Sequence, residues 1–202
     1  MSPEVRFDAR ALPRCATGKG STTYNGVALF VLIEAIVVLS LITSYFYLGA
    51  LRGQAFPHGA GDPPDPTLAA ITLGIVALTA LAVWLSERAA RVERTLAMRG
   101  LIVISIALGI AYAVLSGIDL SRAPHSWTSH AYGSIVWTTS GYQIMHVLIA
   151  TGASVLSLGL SFGRALTGER RAPIQALSLY WRFVLVSGAA VFFTLYVTPY
   201  LM

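Results

Sequence analysis

The chain is poor in the residues that most soluble proteins and metal centres depend on: one cysteine (Cys15), one lysine (Lys19) and 11% charged residues among 202. A single thiol excludes an internal disulfide and every multi-cysteine zinc or iron–sulfur signature. An ordinary soluble domain carries about 25% charged residues, so a water-facing surface over most of this chain is excluded as well. The apolar side is correspondingly full, with 55% hydrophobic residues and a mean hydropathy of +0.68. One core of this size cannot hide so much apolar surface, and the solvent around most of the chain is expected to be lipid.

A spanning helix needs about 20 mostly apolar residues. Five stretches meet that need, at about 25–50, 67–86, 97–120, 131–160 and 176–201. The segment between the first two is rich in glycine and proline, with Pro63, Pro64 and Pro66 as stop signals. Residues 1–23 lack the apolar run of a secretory signal peptide and read as a polar cytoplasmic arm on a single domain, 24–202. The expected fold is therefore all-α, an integral membrane bundle of five transmembrane helices.

Eleven of the fourteen basic residues fall on one side of those spans: Arg6, Arg10, Arg14 and Lys19; Arg88, Arg91, Arg94 and Arg99; Arg164, Arg170 and Arg171. By the positive-inside rule the N-terminus is expected in the cytoplasm and the C-terminus outside. The formal charge of +5 is thus a topology signal, and nucleic acid is not expected as a partner.

An ionisable group at membrane depth costs roughly 2.5–3.5 kcal/mol on insertion scales, which makes each one a candidate site. Glu34 stands alone inside Leu29–Leu41, as a proton carrier, a polar anchor for lipid or a partner, or a carboxyl satisfied by a neighbouring helix. Arg182 falls at a similar depth in the fifth span, which permits a Glu34–Arg182 pair or a guanidinium reaching a lipid phosphate. Asp119 lies near the outer end of span three, and His146 near the middle of span four reads as a hydrogen-bonded core histidine. No metal is expected in this chain, because ligands do not converge in its spans. His58, His125 and His130 belong to outside loops and are expected to be solvated, although His125 and His130 near Trp127 also fit a partner interface. Ser105, Gly109, Ala113 and Gly117 put a small residue at every fourth position of span three, a helix-packing stripe that Gly159 and Gly163 repeat in span four.

Tyr132-Gly133-Ser134, then Gly141, then His146-Val147, resembles a motif of subunit III of haem-copper oxidases. Leu29-Phe30-Val31-Leu32-Ile33-Glu34 is similar to that family's L-F-I-x-S-E and puts Glu34 on its intramembrane carboxylate. Asp119 with Ala123 and Pro124 is similar to the family's acidic helix end and short loop, and Tyr180-Trp181-Arg182-Phe183-Val184 resembles Y-W-H-F-V. The departures are Gln143 and Arg182, where the family has histidines, and Leu185, where it has an aspartate.

The resemblance implies the short five-helix bacterial form. It would be a subunit without redox centres in the bacterial inner membrane, packed on subunit I, near subunit II, with haem and copper in those partners. It would hold phospholipid in a cleft between its helices and support proton uptake and stable turnover. A quinol oxidase or a nitric oxide reductase accessory subunit fits the same family. A proton-coupled transporter is the rival of another class, disfavoured because an odd number of spans forbids two equal halves. A membrane hydrolase is disfavoured because nothing pairs a nucleophile with a base at the interface.

Overall fold

The computed structural model describes residues 21–52, 65–123, 126–163 and 171–201. The arm's residues 1–20, and with them Cys15, lie outside the described residues, as do His58, Pro124, His125, Arg164 and Arg170. Five helices are each long and apolar enough to cross a membrane: α1 (Thr22–Arg52), α2 (Pro66–Arg91), α3 (Thr95–Ser121), α4 (Ala131–Phe162) and α5 (Ala172–Phe192). A π-helical turn (Phe193–Val197) and a 3-10 turn (Thr198–Tyr200) continue α5. There is no strand among the described residues.

Helices α2 to α5 pack as a bundle, and α1 lies on its flank against α5 and α4. The distribution of side chains is inverted relative to a soluble protein. Leu29, Leu32, Ile33 and Leu39 of α1 and Leu156 and Phe162 of α4 are exposed. Inside, α4 presents Thr151, Ser154, Ser157 and Ser161, and α2 presents Thr72, Thr79 and Ser86. Hydrocarbon chains are as apolar as leucine, so burying leucine gives the bundle little, and close backbone approach through small residues gives more. Most of the buried hydroxyls donate to carbonyls of their own helix, Thr79 to Ile75, Ser105 to Ile102 and Thr151 to Val147, whereas Thr139 Oγ1 has no partner among the described residues. Trp181 is the largest fully buried side chain, and its indole N–H donates to Ser154 Oγ at 3.1 Å.

The helix ends follow the sequence with instructive extensions. Pro66 sits in the first turn of α2 behind the N-cap Asp65, whose carboxylate accepts from Thr67 N at 2.9 Å and Thr67 Oγ1 at 2.7 Å. The N-cap of α4 is His130, with Nδ1 accepting from Gly133 N at 2.9 Å, and Ser134 Oγ donates to Trp127 O at 2.7 Å. His130 is therefore a structural cap, where a solvated or partner-facing loop histidine was expected. Helix α2 runs to Arg91, a full turn past the expected end, because Arg91 bonds Glu87 at i,i+4 and the helix needs no lipid around it there. The turn to α3 needs only three residues, with Glu93 at φ 57° in the left-handed region.

Of the small-residue stripe, Ser105 and Gly109 are buried, and Gly117 faces outward. A Cβ on Gly109 would collide with the Thr151 side chain, so α3 meets α4 closely there. Ala113 is half-buried, whereas Gly117, Gly141 and Gly159 have no neighbour within 4 Å of the place a Cβ would occupy. The seam thus extends over one half of α3, and the α4 seam is built from hydroxyl residues instead of Gly159 and Gly163.

Candidate functional site

The buried ionisable groups form two clusters. At the first, Glu34 of α1 receives the Tyr142 hydroxyl of α4 on Oε2, and His146 Nε2 lies 3.2 Å from the same oxygen. His146 is 1% exposed and Glu34 16%. The imidazole is fixed by Nδ1, 2.9 Å from Tyr142 O, and by the Tyr142 ring, edge-on at 4.4 Å. Phe183 and Tyr180 of α5 close the other side, with centroids 5.4 and 6.5 Å from the His146 ring.

The cluster's donors and acceptors suit a shared proton. A carbonyl only accepts, so the hydrogen on Nδ1 points at Tyr142 O. A neutral imidazole then offers a lone pair at Nε2, facing an oxygen of Glu34. Two lone pairs at this separation repel, so the arrangement suits one proton shared between the carboxyl and the ring. Whichever group carries it, the pair has no net charge, which is the state a low-dielectric site favours.

The second cluster is at the arginine-rich end of the bundle. Glu87, 8% exposed, meets Arg91 Nη2 at 2.6 Å and Arg182 Nη2 at 3.4 Å, and both arginines are more than half exposed. Arg182 also donates to Ser178 Oγ at 3.2 Å. The expected Glu34–Arg182 pair is therefore not formed. Similar depth along two helices says nothing about azimuth, and the long arginine stem carries its guanidinium toward the basic end. The expected second span, 67–86, stops just before Glu87, whereas Glu87 lies within α2. Arg88 lies over Trp84 at 3.7 Å, and Arg99 donates to Ser161 Oγ and O at 3.2 and 2.5 Å.

The remaining candidates take separate places. Asp119 accepts from Tyr196 of the π-helical turn at 3.0 Å. Gln143 donates to Val184 O at 3.0 Å and accepts from Ser187 Oγ at 3.2 Å, so it ties α4 to α5 where the resembled motif has histidine. Trp181 is core, and Tyr132 and Gly133 border a cavity at the end opposite the arginines. Tyr142, Gln143, Glu87 and Tyr196 were not singled out as site residues. Tyr142 was legible only as the residue one turn before His146. Gly159-Leu160-Ser161-Phe162-Gly163 has the G-x-S-x-G spacing of a nucleophile elbow, yet Ser161 lies within α4 and donates to Leu158 O, so the strand-to-helix turn that pattern requires is missing. Among the described residues no group of three or more His, Cys, Asp or Glu is placed to hold a metal ion.

Comparison with known proteins agrees with the resembled family. Cytochrome c oxidase subunit 3 of Trichophyton rubrum is 28% identical over 183 residues, 87% of this chain and 67% of the relative. The proteins of the same description from Podospora anserina and Drosophila yakuba are 26% and 24% identical, covering 87% and 93% of this chain and 65% and 76% of themselves. The chain thus spans roughly two thirds to three quarters of these relatives. The family profile described as cytochrome c oxidase subunit III matches residues 18–202, nearly the whole sequence, and the chain belongs to that family.

Proposed function

We propose that this chain is subunit III of a haem-copper terminal oxidase of the cytochrome c oxidase type, a non-redox subunit packed on the catalytic subunit I beside subunit II in aerobic respiration. Haem and copper then reside in those partners, and this chain supplies apolar helix faces, phospholipid contacts and a proton-holding group. The observation that carries the reading is the convergence of family-motif residues from α1 and α4 on one hydrogen-bonded unit, Glu34 with His146, held by Tyr142. A pair that keeps one proton at membrane depth can take up or release it with a partner group while avoiding an isolated buried charge. That supports a role in sustaining proton uptake and stable turnover. The bare apolar face of α1, with Leu29, Leu32, Ile36 and Leu39 outward, fits lipid or subunit I.

The chain is read as a multi-pass protein of a bacterial cytoplasmic membrane, with the arginine-rich end inside. The asymmetry of basic residues supports the inside placement of that end. The test is a pull-down of the gently solubilised complex through a tag on this chain. Haem absorption bands and O2 reduction with reduced cytochrome c are expected, with activity that decays faster when the complex is assembled without this chain. Reduction with quinol or of NO would move the protein to another branch of the family, and a colourless preparation would overturn the reading.

A further inference from the structure

Buried serines and threonines of this bundle can donate to a carbonyl one turn back, as Thr151 and Ser154 do. A tyrosine in a helix cannot, because its ring carries the hydroxyl beyond its own backbone. A buried phenol therefore depends on a neighbouring element for a partner. Tyr180 of α5 is 4% exposed, and its Oη is buried with no hydrogen-bond partner among the described residues. Its ring is fixed from three helices, with centroids 5.8 Å from Phe30 of α1, 6.5 Å from His146 of α4 and 6.0 Å from Phe183 of α5. Phe30 lies one turn before Glu34, and His146 meets Glu34 directly, so the phenol is wedged into the seam that holds the carboxyl. It lies within electrostatic reach of Glu34 and Tyr142.

Glu34 is itself only half satisfied. Its contacts with Tyr142 and His146 both fall on Oε2, and Oε1 has no partner among the described residues. A donor without an acceptor and an acceptor without a donor thus share one seam, where an unpaired polar group is costly. Buried polar groups that do not touch are ordinarily joined by an internal water.

We propose that one buried water joins Tyr180 Oη to Glu34 Oε1, accepting from the phenol and donating to the carboxyl, which makes Tyr180 a positioning residue of the Glu34–His146 pair. This rests on the proton-holding role proposed above and deepens it by adding a member from α5 that the direct contacts of the pair omit. The carboxyl is then held at both oxygens. Tyr142 fixes Oε2 and the water fixes Oε1, so the group cannot rotate Oε2 away from His146 Nε2 without breaking two hydrogen bonds. The unit also spans three helices, because α1 supplies the carboxyl, α4 the phenol and imidazole on one side, and α5 the second phenol on the other.

The test uses the whole complex, with the Glu34 carboxyl signal isolated as the infrared difference between matched preparations with and without Glu34→Gln. Tyr180→Phe keeps the ring contacts and is expected to assemble. It should shift the Glu34 signal, because Oε1 loses a hydrogen bond, and remove one internal-water O–H stretch, recognised by its displacement in oxygen-18 water. The melting temperature should fall. A phenol without a partner would give the opposite sign, since its removal relieves an unpaired buried group. Glu34→Ala should lose the same water stretch, which keeps the proposal testable where Tyr180→Phe fails to assemble. An unmoved Glu34 signal, a water stretch retained in either variant, or a higher melting temperature in Tyr180→Phe would overturn it. A wild-type preparation without haem counts against the oxidase reading instead, since these signals report the site in whichever complex the chain resides.

Discussion

Glu34 and Glu87 are the same side chain placed in two different environments. Glu34 sits at membrane depth against a phenol and an imidazole, an arrangement that suits one shared proton. Glu87 lies at the bundle end against the guanidinium groups of Arg91 and Arg182, and through Arg182 it pins α2 to α5. The partners, more than the burial, decide which form of a carboxyl a membrane protein keeps. A neutral isostere should therefore be tolerated at one site and not at the other.

The largest effect is expected from Glu34→Lys, which replaces a shareable proton with a fixed cation beside His146. A loss of about 2.5–3.5 kcal/mol is expected, read as a lower melting temperature of the purified complex or as failed assembly. Glu34→Ala removes the acceptor of the Tyr142 hydroxyl and the partner of His146, at a cost of about 1–3 kcal/mol in the same melting experiment. Glu87→Gln loses the charge that holds Arg91 and Arg182. Because both arginines are more than half exposed, each pair contributes only about 0.2–1 kcal/mol, and a drop near 1 kcal/mol is expected. The smallest effect belongs to Glu34→Gln, whose amide nitrogen in place of Oε2 can donate one hydrogen to His146 Nε2 and the other to the Tyr142 oxygen. A change under about 0.5 kcal/mol is expected, with assembly intact and faster inactivation during turnover. If Glu34→Gln destabilises the complex more than Glu87→Gln, the contrast between the two sites fails.

The two carboxyls also mark how far the sequence can be read. Glu34 was visible because an apolar run surrounds it, and hydropathy detects such an interruption directly. Glu87 falls just outside the expected span because hydropathy measures lipid compatibility, whereas the helix runs on past the hydrocarbon through its own hydrogen bonds and the Glu87–Arg91 pair. The five spans were legible for the same reason that Glu34 was, and most of their ends fall within two residues of the expected ones, the end of α2 at Arg91 being the largest departure. Partners were the least legible feature. Helix rise placed Arg182 near the depth of Glu34, but the choice of Tyr142 and His146 depends on how α4 is rotated against α1, which one chain's pattern does not encode. The π-helical turn that presents Tyr196 to Asp119 leaves no comparable signal in the residues from Phe193 to Val197.

The most direct measurement of the central claim is the infrared difference between the wild-type complex and Glu34→Gln at neutral pH. The expected spectrum shows either a protonated carboxyl or a carboxylate accompanied by imidazolium, each meaning one proton between Glu34 and His146. A carboxylate accompanied by neutral imidazole would contradict it.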